Sequence, residues 1–233
     1  MVLHSLPPTP DSERPLVALT MFGVTTPCAE QAKKSLEQAG YEVLVFHATG
    51  SGGAARETLI RDGVFAGVLD LTTTELADEL VGGFLSAGPD RLTAAAECEV
   101  PQVVSVGATD MVNFHALESV PERFNQRKFH RHNASVTLMR TTAEECAAIG
   151  ADLGRKVASS KGPCEVHLPN KGVSAIDRQG EDFDDPIARA MLFDTIRAHA
   201  RHIPVVEHDY HINDPEFASA IAGALIRLIE KPK

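Results

Sequence analysis

Apolar and polar positions along the chain fall into two alternating rhythms. Short apolar runs closed by Asp, Asn, Gly or Pro are separated by longer stretches in which apolar residues recur three and four apart. Leu16 to Met21 reads as a buried strand, after which Thr26 and Pro27 open a helix that runs to about Ala39 and stops at Gly40. Tyr41 to Phe46 is a second strand, followed by a glycine-rich turn and a helix through Arg61. Phe65 to Leu69 is a third strand, with a short acidic helix after its threonines and a further helix over Pro89 to Cys98. Pro101 to Val106 is the fourth strand, and from His115 to Met139 no period is clean. A helix from about Thr142 carries Cys146, Ile149, Leu153 and Val157 on one face, and Cys164 to Leu168 is a fifth strand. Asp185 and Pro186 start a helix whose apolar face is Ala188, Met191, Leu192 and Ile196. Ile203 to Val206 is a sixth strand, and Asp214 with Pro215 opens a final helix on which Ile221, Leu225 and Leu228 align.

Strands alternating with helices predict an α/β fold, a Rossmann-like three-layer sandwich with a mostly parallel sheet of about five to six strands. Residues 15–233 read as one domain behind a flexible lead-in over residues 1–14. In such sheets ligands bind beyond the carboxyl ends of the strands, so the polar turns that follow each strand are expected to share one rim.

The turn after the second strand is the most suggestive. His47, Thr49, Gly50, Ser51, Gly52 and Gly53 lead from a strand into a helix, and helix N-termini offer unpaired amides to an anion. It is neither a Walker A sequence nor a complete G-x-G-x-x-G. Thr25 and Thr26 could contact a phosphate or carboxylate at another helix start, or simply cap it, while Cys28 reads as a small buried residue. Asp70, Thr72, Thr73, Thr74 and Glu75 could hold Mg²⁺ or do acid–base work, with helix capping the plainer alternative. Asp110 and Asn113 follow the fourth strand in the same manner. His47 or Glu75 would be the acid–base group of any reaction. Arg127, Lys128, Arg131 and Arg140 make the irregular stretch locally basic, and His130 with His132 is too sparse for a zinc site. Ser174 after the fifth strand reads as a polar contact near Lys171 and Asp177; Glu207, His208, His211 and Asn213 follow the sixth.

A net charge of −10 argues against general binding to nucleic acid or membrane surfaces. Four scattered cysteines suggest neither a zinc knuckle nor a disulfide framework, and a reducing cytoplasm is the expected setting. No apolar run has the length of a membrane span, and the first residues lack a signal-peptide pattern.

In order along the chain, T-M-F-G-V-T-T-P-C, V-F-H-A-T-G-S-G-G, L-D-L-T-T-T-E-L-A-D-E-L, S-A-G-P-D-R-L, D-M-V-N-F, T-L-M-R-T-T, G-V-S-A-I-D and I-N-D-P-E-F-A resemble the tobamovirus-resistance-protein-like family. The resemblance covers nearly everything from Pro15 onward. It implies a protein often labelled ATP-binding, with ATP and Mg²⁺ as cofactors, a second α/β domain of the same family as partner, and self-association. This chain resembles the second, C-terminal domain only. Three functions follow as expectations: a domain that binds a nucleotide, phosphate or carboxylate; part of a hydrolase-like enzyme for a carboxylated metabolite whose site another domain completes; or a non-catalytic protein-interaction module.

Overall fold

The computed structural model describes residues 14–231. The lead-in expected over residues 1–14 thus lies, Arg14 apart, outside the described residues. The strands are β1 (Leu16–Met21), β2 (Glu42–His47), β3 (Gly67–Thr72), β4 (Gln102–Gly107), β5 (Met111–Phe114), β6 (Phe129–Arg131), β7 (Thr137–Arg140), β8 (Cys164–Pro169) and β9 (Val205–His208). The helices are α1 (Thr26–Gln38), α2 (Ser51–Arg61), α3 (Thr74–Val81), α4 (Ala94–Glu97), α5 (Ala143–Ala158), α6 (Pro186–His199) and α7 (Pro215–Glu230).

Six strands form one parallel sheet in the order β2-β1-β3-β4-β8-β9. The chain goes from β1 to one side and returns to the other through β3, so the switch in strand order falls between β1 and β3. Successive residues of a strand point to opposite faces, and the core divides accordingly. Val103 packs with α1 and α7, whereas Val104 packs with α5 and α6. The six sheet strands are the six expected from the sequence, and the fold is the expected α/β sandwich.

Three departures have physical causes. The stretch without a clean period holds β6 and the start of β7, which join β5 in a small antiparallel sheet of order β5-β7-β6; strands this short leave too few positions to reveal alternation. The helix expected over Pro89 to Cys98 shrinks to α4, because Leu92 takes a left-handed φ of 76°. Met191, expected on the apolar face of α6, is 40 % exposed, while Ala188, Leu192 and Ile196 are buried.

α5 and α6 make the most extensive helix–helix contact, and glycine lets them approach. A Cβ on Gly150 would stand 2.5 Å from the Leu192 carbonyl oxygen and 3.2 Å from Thr195 Cβ. Gly150→Ala is expected to force the helices apart and cost about 1–3 kcal/mol, readable as a lower urea midpoint.

Candidate functional site

The carboxyl-end turns do converge. The Thr25 and Thr72 hydroxyls lie 2.8 Å apart, Thr73 Oγ1 donates to the Ser105 carbonyl at 3.0 Å, and the Ala108 amide donates to the Val173 carbonyl at 2.9 Å. Among the described residues, two buried polar centres and a cavity of about 610 Å³ lie along this rim.

The first centre sits at the switch point. Asp70, two residues before the end of β3, accepts from both Arg91 Nη1 and Nη2 at 2.7 Å and pairs with Arg56 Nη1 at 2.6 Å. Thr20 Oγ1 donates to Asp70 Oδ1 at 3.0 Å and accepts from the Thr72 amide at 2.9 Å. Burial alone would raise the Asp70 carboxyl, but Arg56 and Arg91 more than offset it and hold it at about 2. Glu57 pairs with Arg56 at 2.5 Å and accepts from the Leu92 and Ala94 amides at 2.9 Å. Those two bonds keep the turn around Leu92 out of a helix and so aim Arg91 inward. Burial opposes the Glu57 charge too, and the same two arginines leave its carboxyl below the usual range.

Glu75 joins this centre to the glycine turn. Its Oε2 accepts from Arg91 Nε at 2.5 Å, while its Oε1 accepts from the Gly50 amide at 2.7 Å and the Gly53 amide at 3.2 Å. The anion that a strand, glycine turn and helix start invite is therefore supplied by the chain itself. Gly50 holds a φ of 76°, and a Cβ on Gly53 would overlap the Glu75 carboxylate. Glu75 is wholly buried.

His47 and Glu75 do not share a pocket. His47 is exposed at the end of β2, edge-on to Phe22 with ring centroids 5.9 Å apart, and lines a small apolar cavity of about 120 Å³ with His132, Val136 and Leu138. Thr49 Oγ1 contacts the His47 carbonyl at 3.4 Å, and exposed Ser51 and half-buried Gly52 begin α2 without a hydrogen bond to Glu75. Thr26 Oγ1 donates to the Phe22 carbonyl at 3.3 Å. Asn113 donates through its amide and its Nδ2 to Asp78, each at 2.7 Å, and through Nδ2 to Thr74 Oγ1 at 3.3 Å. Burial pushes the Asp78 carboxyl up to about 7.

The second centre lies between the ends of β4 and β8. Ser174 Oγ donates to Asp110 Oδ2 at 2.8 Å and accepts from the Ile176 and Asp177 amides, so the hydroxyl is fully committed as well as buried. Asp110 Oδ1 is buried with no hydrogen-bond partner among the described residues. Burial, and then the neighbouring Asp177, push the Asp110 carboxyl up to about 7 despite Arg140. Asp177 Oδ1 accepts from Arg189 Nη1 at 2.8 Å and from Arg140 Nη2 at 3.5 Å. Arg140 is spent on structure, donating to the Phe183 carbonyl at 2.8 Å and to Thr141 Oγ1 at 2.7 Å.

Beside this centre opens a cavity of about 610 Å³, past the ends of β8 and β9. Asn170, Lys171, Arg178, Gln179, Arg189 and His211 line it, together with Asp184, Pro186 and Asp214. Three cations face two carboxylates there, in a protein that is acidic as a whole. Lys171 pairs with Asp209 at 3.1 Å and Arg178 with Asp214 at 3.3 Å, with more than half of each basic side chain exposed. Pairs that exposed are worth about 0–1 kcal/mol, so an incoming anion can replace them. The buried Arg91–Glu75 pair is the opposite case. Removing one partner of such a pair costs about 3–5 kcal/mol, which closes the glycine turn to competitors. His211 is held neutral: burial lowers its pKa, its Nε2 bonds the Ser174 carbonyl at 2.8 Å, and its Nδ1 accepts from the Asn213 amide at 3.1 Å.

Sequence reasoning placed Asp70, Thr72, Glu75, Asp110 and Ser174 on the rim but missed Arg56, Glu57, Arg91, Arg178 and Arg189. The motif S-A-G-P-D-R-L contains Arg91, yet nothing in its spacing marks a buried cation. Glu207 pairs with Arg197, and His208 meets His167 at 2.8 Å. His130 pairs with Asp182 at 2.6 Å while His132 turns to the small apolar cavity, so the two histidines serve different places.

Among the described residues no helix is long and apolar enough to cross a membrane. The family model described as the uncharacterised protein family UPF0261 C-terminal domain matches residues 14–229. A UPF0261 protein of Clostridium tetani is 52% identical over 221 residues, covering 94% of this chain and 55% of the relative. One from Rhizobium meliloti is 50% identical over 218 residues, covering 91% of this chain and 54% of the relative. The ToMV resistance protein Tm-1 of Solanum lycopersicum is 46% identical over 220 residues, covering 93% of this chain and 29% of that protein. The chain thus spans about half the length of the bacterial relatives it matches and less of the tomato one. It belongs to the uncharacterised protein family UPF0261, whose C-terminal domain it contains.

Proposed function

We propose that this domain binds a small anionic metabolite, phosphorylated or carboxylated, in the cavity past the ends of β8 and β9. The observation that carries the reading is the cluster of Lys171, Arg178 and Arg189 around about 610 Å³ at the carboxyl edge of a parallel sheet. Such edges are where ligands of this fold class sit, and metabolite pockets typically measure about 300–1,000 Å³. Lys171 and Arg178 supply charge that weak surface pairs release readily, while Arg189 is fixed by Asp177 and supplies orientation. Asn170 and Gln179 add neutral hydrogen bonding, which suits a ligand carrying hydroxyl or amide groups beside its anionic one. Nucleotides are the larger members of this class. Binding is favoured over hydrolysis because the Ser174 hydroxyl is buried and committed.

Thermal shift with inorganic phosphate, citrate, ADP and ATP, with and without Mg²⁺, tests the reading. A matching ligand at about a hundred times its Kd stabilises by about 2.7 kcal/mol, a rise of several degrees. Arg178→Ala alters a side chain that is more than half exposed, so it is expected to fold normally and lose most of that rise. No response to any of these anions, or an undiminished response in the variant, argues against this cavity.

A further inference from the structure

The cavity past the ends of β8 and β9 continues beyond its own walls. Asn170, Pro186 and Arg189 also line an adjoining cavity of about 240 Å³, which is completed by Ala190, Phe193, Arg197 and Glu207. Positions 186, 189, 190, 193 and 197 recur three and four apart, so they form one stripe along α6. At 1.5 Å per residue that stripe is about 16 Å long. The other two lining residues come from the sheet: Glu207 lies within β9, and Asn170, just past β8, donates its amide to the His208 carbonyl at 2.9 Å. Charge is uneven along this groove. Lys171 and Arg178 stand in the larger cavity, and Arg189 stands where the two meet. Beyond that point the cations are committed. Arg189 is tied to Asp177 at 2.8 Å, and Arg197 is shared between Asp194 and Glu207. Pro186, Ala190 and Phe193 offer only apolar side chains.

We propose that the ligand is an anion carried on an uncharged, largely apolar arm, an alkyl or aryl phosphate or the matching carboxylate. Its charged group meets Lys171 and Arg178, and its arm lies along α6 in the adjoining cavity. This rests on the anion-binding reading of the larger cavity and adds the part of the ligand that sets specificity. A second anionic group at the far end would have to draw Arg197 away from two carboxylates. An ammonium there would have to displace Arg197 from Glu207. An arm without charge meets neither cost and gains by covering Pro186, Ala190 and Phe193. A volume of about 240 Å³ is roughly eight times the share of one water in the liquid, room for a ring or a short chain.

Calorimetric titration with two anions that differ in the arm, inorganic phosphate and phenyl phosphate, tests this. The unaltered chain is expected to bind phenyl phosphate at least about tenfold more tightly, because the ring leaves water for an apolar cleft. Ala190→Phe, at an exposed position of α6, fills the adjoining cavity. It is expected to erase that advantage while leaving the affinity for phosphate and the circular dichroism spectrum unchanged. Arg178→Ala is expected to weaken both anions alike. Equal affinities in the unaltered chain, or an advantage that survives Ala190→Phe, overturns the apolar arm and leaves the anion site standing. Binding of neither anion overturns both.

Discussion

Replacing Arg91 with methionine is expected to lower the stability of the domain by about 3–5 kcal/mol, because one change leaves buried Glu75 without a cation and takes one of two from buried Asp70. Arg91 links Asp70 to Glu75 at the switch point: two bonds to Asp70, one to Glu75, and one of 3.2 Å to the Thr72 carbonyl. With it gone, Asp70 keeps Arg56 but Glu75 keeps only amides. Urea denaturation of the variant beside Arg91→Lys separates charge from shape. Lysine restores the charge without the planar fork that grips Asp70, so it is expected to recover only part of the loss. A drop below about 1 kcal/mol for the methionine variant would mean that the network is incidental to the fold.

The second large effect is a dependence on pH that runs in two directions. Arg56 and Arg91 hold the Asp70 carboxyl at about 2 in the folded protein, below the ordinary 3.8 of an aspartate. Its contribution is present above about pH 4 and is lost as pH falls toward 2. Burial pushes the Asp78 and Asp110 carboxyls up to about 7, above that same ordinary value. The folded chain holds protons there that the unfolded chain releases above about pH 4, so stability falls as pH rises toward 7 and then levels. Each raised carboxyl is worth on the order of 2–4 kcal/mol across that window. Stability is therefore expected to peak on the acidic side of neutrality. Asp110→Asn is expected to gain about 1–3 kcal/mol at pH 8 and little at pH 4.5, since an amide has no ionisation cost. Urea midpoints at several pH values check both statements, and a pH-independent gain in the variant would assign the effect to packing.

The strands and most helices were legible because each depends on a local period, and the shared rim followed from the order of strand and turn. The occupant of the glycine turn was not legible. Strand, glycines and helix start announce an anion, but the partner that satisfies Gly50 and Gly53 lies more than twenty residues away, at Glu75. From sequence, Glu75 looks like an exposed acid at a helix start, and only the packing of Arg91 beneath it shows that it is internal. Arg56 and Glu57 likewise read as ordinary polar positions on α2, since a helical period cannot distinguish a buried ion pair from a solvated one. The cavity lining was partly visible as Lys171 and His211; Arg178 and Arg189 come from separate segments that meet only in the fold.

The glycine turn is closed from within by Glu75, and under the proposed function recognition of an anion falls to the cavity past β8 and β9. Calorimetric titration of the most stabilising anion into three proteins tests this directly: the unaltered chain, a Lys171→Ala and Arg178→Ala double variant, and Ser51→Ala in the glycine turn. The expected result is binding that the double variant loses and Ser51→Ala retains. Binding retained by the double variant and lost by Ser51→Ala would return the site to the glycine turn and contradict the account.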